Sequence, residues 1–196
     1  MRNPTRATIL AYDPGTVRMG QAVMEFDLIN FEIIQIHHSL INVEKLPTLD
    51  HEVRIHGELH ARILAAARHV ESVLRWSKPI CLAYENNFMN IKAPSAYGPL
   101  VALEMAVKIH ASYYDPQLPV NLWVPSQVKK AIGTRRSLTG KMGKEEVLLA
   151  FSKCAEITHH LDCPIEEINH NTIDAICIAY AQLCAFRNTP TPPQPS

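Results

Sequence analysis

The stretch from Ala7 to Phe26, ATILAYDPGTVRMGQAVMEF, decides the fold. Its opening ATILAYD, Ala7 to Asp13, is an apolar run ending in an acid, the pattern of a buried strand. PGTVRMG is turn chemistry, because proline presets φ and glycine tolerates tight backbone. QAVMEF, Gln21 to Phe26, then reads as a second strand, and together the two make a tight hairpin.

Outward from the hairpin, a β-rich run covers Ile29 to Ile41. Phe31, Ile33, Gln35 and His37 fall on one face and Ile34, Ile36 and His38 on the other, which predicts a strand buried on both sides for part of its length. Ile55, Leu59, Ile63, Ala66, Ala67, Val70, Val73 and Leu74 recur at helical spacing, and Pro79 stops that helix near Trp76 to Lys78. A strand over Ile80 to Tyr84, a helix over Ser95 to Tyr113 and a strand over Val120 to Val124 follow. A short helix, a glycine-rich and basic loop from Gly133 to Lys144, a helix near Lys144 to Ala155 and a last helix over Asn171 to Phe186 complete the chain. Three hairpin-connected strands followed by alternating helices and strands describe an α/β mixed sheet with helices on both faces.

The chain has 196 residues, 47% hydrophobic and 19% charged, which suits one globular domain over residues 1–187. The tail 188–196 holds four prolines in nine residues and no apolar period, the composition of a disordered segment. No run approaches the roughly 18–20 apolar residues of a membrane span, and Met1 to Arg6 leads into nothing like a signal peptide, so a cytoplasmic protein is expected. Five cysteines form an odd set that fits a reducing compartment, with Cys81 and Cys177 in apolar runs. Nineteen basic residues balance nineteen acids, which excludes a generally basic nucleic-acid coat.

Asp13 ends the first strand, Glu85 ends the fourth, and Asp174 precedes AICIAYAQLCAF, an almost wholly apolar helix. Adjacent parallel strands would bring Asp13 and Glu85 to one sheet edge, where α/β proteins bind ligands. Singly, each has a plain alternative: a turn residue, a solvated strand end, a charge near a helix N-terminus. Together they repel, and the remedy is one or two hard divalent ions on oxygen ligands. Paired ions about 3.5–4 Å apart activate water and stabilise a phosphodiester leaving group.

ILAYDPGTVRMGQAV, LAYENNFMN, VPSQVKKAIG and NTIDAICIAYA, in that order, resemble the four segments of RuvC-like Holliday-junction resolvases of the ribonuclease H-like superfamily. The resemblance runs from about Thr8 to Gln182. It implies a five-stranded mixed sheet flanked by helices, a homodimer, and Mg2+ or Mn2+ ions, two per active site, on four ligands. Asp13, Glu85 and Asp174 match three of them. The fourth matching position, normally an acid or a His, is Asn171, one helical turn before Asp174. Three explanations stay open: Asn171 as a natural weak ligand, His170 in its place, or an inactivating Asp-to-Asn substitution. Asn171 as a simple N-cap is the plain alternative.

Between Gln127 and Lys144 lie Lys129, Lys130, Arg135, Arg136, Lys141 and Lys144 and no acid, whereas Cys154 to Phe186 holds five acids and no Lys or Arg. A basic loop with glycines follows phosphates closely, and its cations displace condensed counterions. In the resembled family, lysines in the segments matching Lys129 and Lys144 serve substrate binding and catalysis. Phe88, in the polar ENNFMN, matches an aromatic wedge and would stack on unpaired bases at about 1–3 kcal/mol per base. Binding then depends on a local patch and junction shape, with weak affinity for plain duplex.

The resemblance implies a metal-dependent endonuclease that resolves four-way DNA junctions by paired symmetric nicks, in a bacterial or phage-infected cytoplasm. The alternatives are a broader branched-DNA or flap nuclease, a junction-binding protein impaired at Asn171, and an actin-like ATPase, whose first phosphate loop Asp-Pro-Gly-Thr also resembles. Cys154, His159, His160 and Cys163 form a weak zinc pattern, because adjacent histidines do not readily face one ion. Cys81 is too interior for a nucleophile. Tyr97, Tyr113 and Tyr114 are expected on a helix surface or in a dimer contact, and the stripe Ala102, Met105, Ala106 and Ile109 in either core or dimer.

Overall fold

The computed structural model describes residues 5–86, 95, 97–134 and 143–189. Strands β1 (Arg6–Asp13), β2 (Arg18–Asp27), β3 (Ile33–Asn42), β4 (Cys81–Glu85) and β5 (Val120–Trp123) form one sheet in the order β3-β2-β1-β4-β5. β1 is antiparallel to β2 and parallel to β4, and β5 runs parallel to β4. Central β1 is buried from Ala7 to Tyr12, which is why its sequence is a continuous apolar run. This is the five-stranded mixed sheet flanked by helices that the resemblance implies.

Helices α1 (Asp50–Ser77) and α2 (Tyr97–Tyr114) cover one face, packing Val70, Leu74, Leu103 and Val107 on Leu10, Tyr12 and Leu82. Helices α3 (Pro125–Ala131), α4 (Lys144–Lys153), α5 (Ala155–Thr158) and α6 (His170–Asn188) cover the other, with α6 buried along most of its length on Ile9, Ala11 and Met24. Gln182 of α6 accepts hydrogen bonds from Asn121 Nδ2 and Trp123 Nε1, each 3.0 Å long, and so ties edge strand β5 to that helix. The two faces explain why α6 reads as apolar all round while α1 keeps a charged stripe.

Several details differ from the sequence expectation. β3 begins at Ile33 because Asp27 Oδ1 accepts from the backbone of Ile29 and Asn30, an Asx turn that diverts residues 27–32 out of the sheet. The strand is not buried on both sides. A register shift between Glu25 and Phe26 places Ile33 and Ile36 in the same core under α6, while His37 contacts Trp76 of α1 from the other face. As the sheet's edge, β3 has fewer buried side chains than β1. Helix α1 starts earlier than expected and is interrupted at Gly57, whose φ of 80° is costly for any side chain. It ends as expected, at a left-handed Lys78 whose N–H bonds Leu74 O, with Pro79 next. The last helix continues to Asn188, one residue into the expected tail, and 190–196 lie outside the described residues.

Candidate active site

β1 and β4 are paired in register as far as Tyr12 opposite Tyr84, so Asp13 and Glu85 emerge side by side at the sheet's C-terminal edge. Asp174 reaches them from α6 through a close approach. Gly20 pairs with Asp13 across the hairpin, and a Cβ on Gly20 would overlap the backbone carbonyl of Asn171. Only glycine lets the first turn of α6 sit down on β2 there. The turn feeding β2 is equally tight, since a Cβ on Gly15 would overlap the carbonyl of Arg18. That same Arg18 carbonyl accepts from Asn171 Nδ2 at 3.3 Å. The hairpin and α6 are thus locked at the point where the acids meet.

The electrostatics of the trio follow from burial without a fully matching cation among the described residues. Burial pushes the Asp13 carboxyl up to about 9, with the charge of Glu85, their shared hydrogen bond and the charge of Asp174 adding to it, and Lys144 opposing. Burial raises Glu85 as well, offset by the Asp13 hydrogen bond and by Lys129. Asp174 is pushed up to about 6, by burial first and then by Glu85, against Lys144, His170 and Lys129. A hydrogen bond between two carboxyls requires a proton, which Asp13 and Glu85 share as a pair. Half-buried, oxygen-only and short of positive charge among the described residues, Asp13, Glu85 and Asp174 fit a hard dication.

Lys129 of α3 lines a cavity of about 30 Å³ together with Glu85, Asp174 and Cys177, and its charge acts on both acids. The charge of Lys144, the first residue of α4, acts on Asp13 and Asp174. Lys130 is exposed on α3 and does not line that cavity. Arg135, Arg136, Lys141 and Phe88 lie outside the described residues. Asn171 is not the helix cap: Asn169 is, its Oδ1 accepting from Asn171 N at 3.0 Å, which leaves Asn171 within the first turn. His170 lines a groove between α4 and α6 with Glu145, Leu148 and Ile173, and its charge still reaches Asp174.

Gly20 is the site residue that sequence reasoning missed. A glycine in a strand otherwise rich in larger residues was the available signal for a close backbone approach. Cys81 is buried with its thiol pushed up to about 12, which suits a packing role. On α2, Ala102 and Ala106 pack inward, while Met105 and Ile109 are exposed with Tyr113.

No family model matches the chain. The crossover junction endodeoxyribonuclease RuvC of Chlorobium phaeobacteroides is 24% identical over 188 residues, 92% of this chain and 83% of that protein. Among solved structures, T. thermophilus RuvC in complex with a Holliday junction substrate superposes with a TM-score of 0.64 at 19% identity, over 93% of this chain and 97% of that one. The yeast mitochondrial Holliday junction resolvase Ydc2 follows at 0.54 and 15%, covering 96% of this chain and 84% of its own. The chain is similar to these two RuvC proteins along nearly its whole length.

Proposed function

We propose that this chain is a divalent-metal-dependent endodeoxyribonuclease that resolves four-way DNA junctions by paired symmetric nicks. The convergence of Asp13, Glu85 and Asp174 from β1, β4 and α6, with Lys129 and Lys144 beside them, carries this assignment. The RuvC of Chlorobium phaeobacteroides supports it by the name it bears.

Asp13, Glu85 and Asp174 would hold Mg2+ or Mn2+, two ions per site, with Asn171 contributing one neutral oxygen. A bound dication supplies Lewis acidity, polarising the phosphodiester and making water nucleophilic at neutral pH. The protein's own part is positioning and charge. Asp13 and Glu85 would give up their shared proton on binding a dication, leaving all three acids as anionic ligands. Lys129 and Lys144 sit where a phosphate's negative charge would arrive, and the basic segment onward through Lys130, Arg135, Arg136 and Lys141 would track the backbone. Phe88 would wedge between bases at the junction centre.

A symmetric junction needs two sites related by a two-fold axis, hence a homodimer. Met105, Ile109 and Tyr113, spaced four apart along α2, are 52%, 46% and 73% exposed and offer an apolar face for it. We assign residues 1–187 to one nuclease domain and place its work in a bacterial or phage-infected cytoplasm. Among the described residues, no helix is long and apolar enough to cross a membrane. Asn171 favours a second reading, a junction binder with little cleavage.

A mobile synthetic four-way junction, tested beside flap and duplex controls with Mg2+ and then Mn2+, separates these. Resolution predicts symmetric nicks in the junction and little cutting of duplex. Binding without nicks, persisting in Asn171→Asp, would support the binder, and preferential flap cutting would redirect the substrate assignment.

A further inference from the structure

Edge strand β3 carries His38, whose side chain is 10% exposed, and the loop after α5 brings Asp162 and Cys163 against it. His38 Nε2 is 3.0 Å from Asp162 Oδ1 and 3.9 Å from Cys163 Sγ. The three potential ligand atoms all lie within 4.8 Å of one another. One imidazole nitrogen has a single hydrogen or a single lone pair, so it does not serve a carboxylate and a thiol at once. Two ligating groups converging on it instead form a triangle of ligand atoms. Metal–ligand lengths of about 2.0–2.3 Å in a tetrahedral site put N···O at about 3.3 Å and N···S at about 3.6 Å. The measured 3.0 and 3.9 Å each differ from those values by about 0.3 Å. Asp162, with a side chain 72% exposed, is free to turn the remaining distance.

We infer that His38, Asp162 and Cys163 form a structural site for a zinc-class dication, separate from the carboxylate site. Thiol and imidazole select a borderline ion such as Zn2+, whereas the oxygen-only trio selects Mg2+ or Mn2+, so the two sites sort metals by ligand softness. Glu167 is near enough for its charge to act on the Cys163 thiol, which adds a further oxygen within electrostatic reach. The neighbouring His160 places its Nδ1 3.2 Å from Ile34 O and is not part of the triangle.

The position has a structural logic. An edge strand exposes unpaired backbone groups, and the segment between α5 and α6 covers this one. Arg187 adds to that cover by bonding Phe31 O and Glu156. The same segment runs directly into α6, whose first turns carry Asn171 and Asp174. A metal clamp between β3 and residues 162–163 would therefore steady the approach to the catalytic helix.

Metal-free full-length protein titrated with Co2+ tests this. The expected result is a thiolate-to-cobalt charge-transfer band in the near ultraviolet that saturates at about one equivalent beyond any Co2+ taken by the carboxylates, is bleached by Zn2+, and is accompanied by a melting temperature raised by Zn2+. Cys163→Ser and His38→Gln should each lose the band and the Zn2+ stabilisation, and Cys154→Ser and Asp13→Asn should keep both. His38→Gln leaves the sulfur in place, so its loss of signal in a chain with native circular dichroism tests the imidazole independently. No thiolate–cobalt band in the unmodified protein, or a band that survives Cys163→Ser, would overturn the assignment.

Discussion

Two groups of half-buried or buried acids in this molecule behave in opposite ways. Glu52, at the start of α1, has a side chain only 11% exposed, yet the two-pronged hydrogen bond from Arg68 holds its carboxyl below the ordinary range. Asp13, Glu85 and Asp174 are all held above it. Burial acts in the same direction on both groups, so the difference lies in the counter-charge. Arg68 bridges the Gly57 break in α1 with a cation built into the fold, and that pair does a structural job. At the strand ends, Lys129 and Lys144 offset only part of the negative charge, and among the described residues the trio remains short of cation. A fixed salt bridge stabilises a helix break, and an unmet charge makes a place for a dication.

The sharpest way to break this comparison is to neutralise each group. Asp13→Asn, Glu85→Gln and Asp174→Asn should each lower junction nicking under Mg2+ by about 10³-fold, the scale of losing one preorganised electrostatic group, while junction binding persists. Gel-shift and cleavage assays on one preparation check both halves. Arg68→Ala should instead leave cleavage chemistry intact and lower stability by about 1–3 kcal/mol in denaturant unfolding. That is below the 3–5 kcal/mol for breaking a fully buried pair, because Arg68 is partly solvated.

A smaller effect separates the groups by pH in metal-free protein. The trio's carboxyls titrate higher when folded than when unfolded, so between about pH 4 and 9 the folded state binds more protons. Their contribution to stability is therefore largest at low pH and falls as pH rises toward about 9, where Asp13 ionises. Glu52 has the opposite sign: its lowered value contributes above the ordinary carboxylate range and is lost on acidification. Asp13→Asn should raise the melting temperature of chelated protein at pH 8 more than at pH 5, by about 2–4 °C for each kcal/mol relieved. An equal shift at both pH values would remove the unmet-charge explanation. Smallest of all, Asn171→Asp should raise or preserve metal-dependent nicking by restoring a charged ligand, and a clear fall would count against Asn171 as a ligand position.

Much of this was legible in the sequence, for physical reasons particular to certain residues. Asp13 and Glu85 could be found because each closes an apolar run long enough to be a buried strand, and Asp174 because an acid heads an otherwise apolar helix. The alternation rule failed on β3 because Ile34 is an extra residue in the pairing, Glu25 facing Gln35 and Phe26 facing Ile33, so side chains on its two sides no longer alternate in step. The Gly57 break was hidden because helical periodicity continues on both sides of it. His38 and Cys163 could not be paired by spacing, being 125 positions apart and brought together only where the segment after α5 packs on β3. Gly20 shows its role only once α6 is laid across β2.

The central claim is that a dication completes the Asp13, Glu85 and Asp174 site and displaces the proton that Asp13 and Glu85 share. Calorimetric titration of Mn2+ at pH 7–8, repeated in buffers of different ionisation enthalpy, counts the protons released per ion bound. The account predicts about one proton released by the unmodified chain, and both binding and release largely lost in Asp13→Asn. Mn2+ binding without proton release, or the same release from Asp13→Asn, would contradict it.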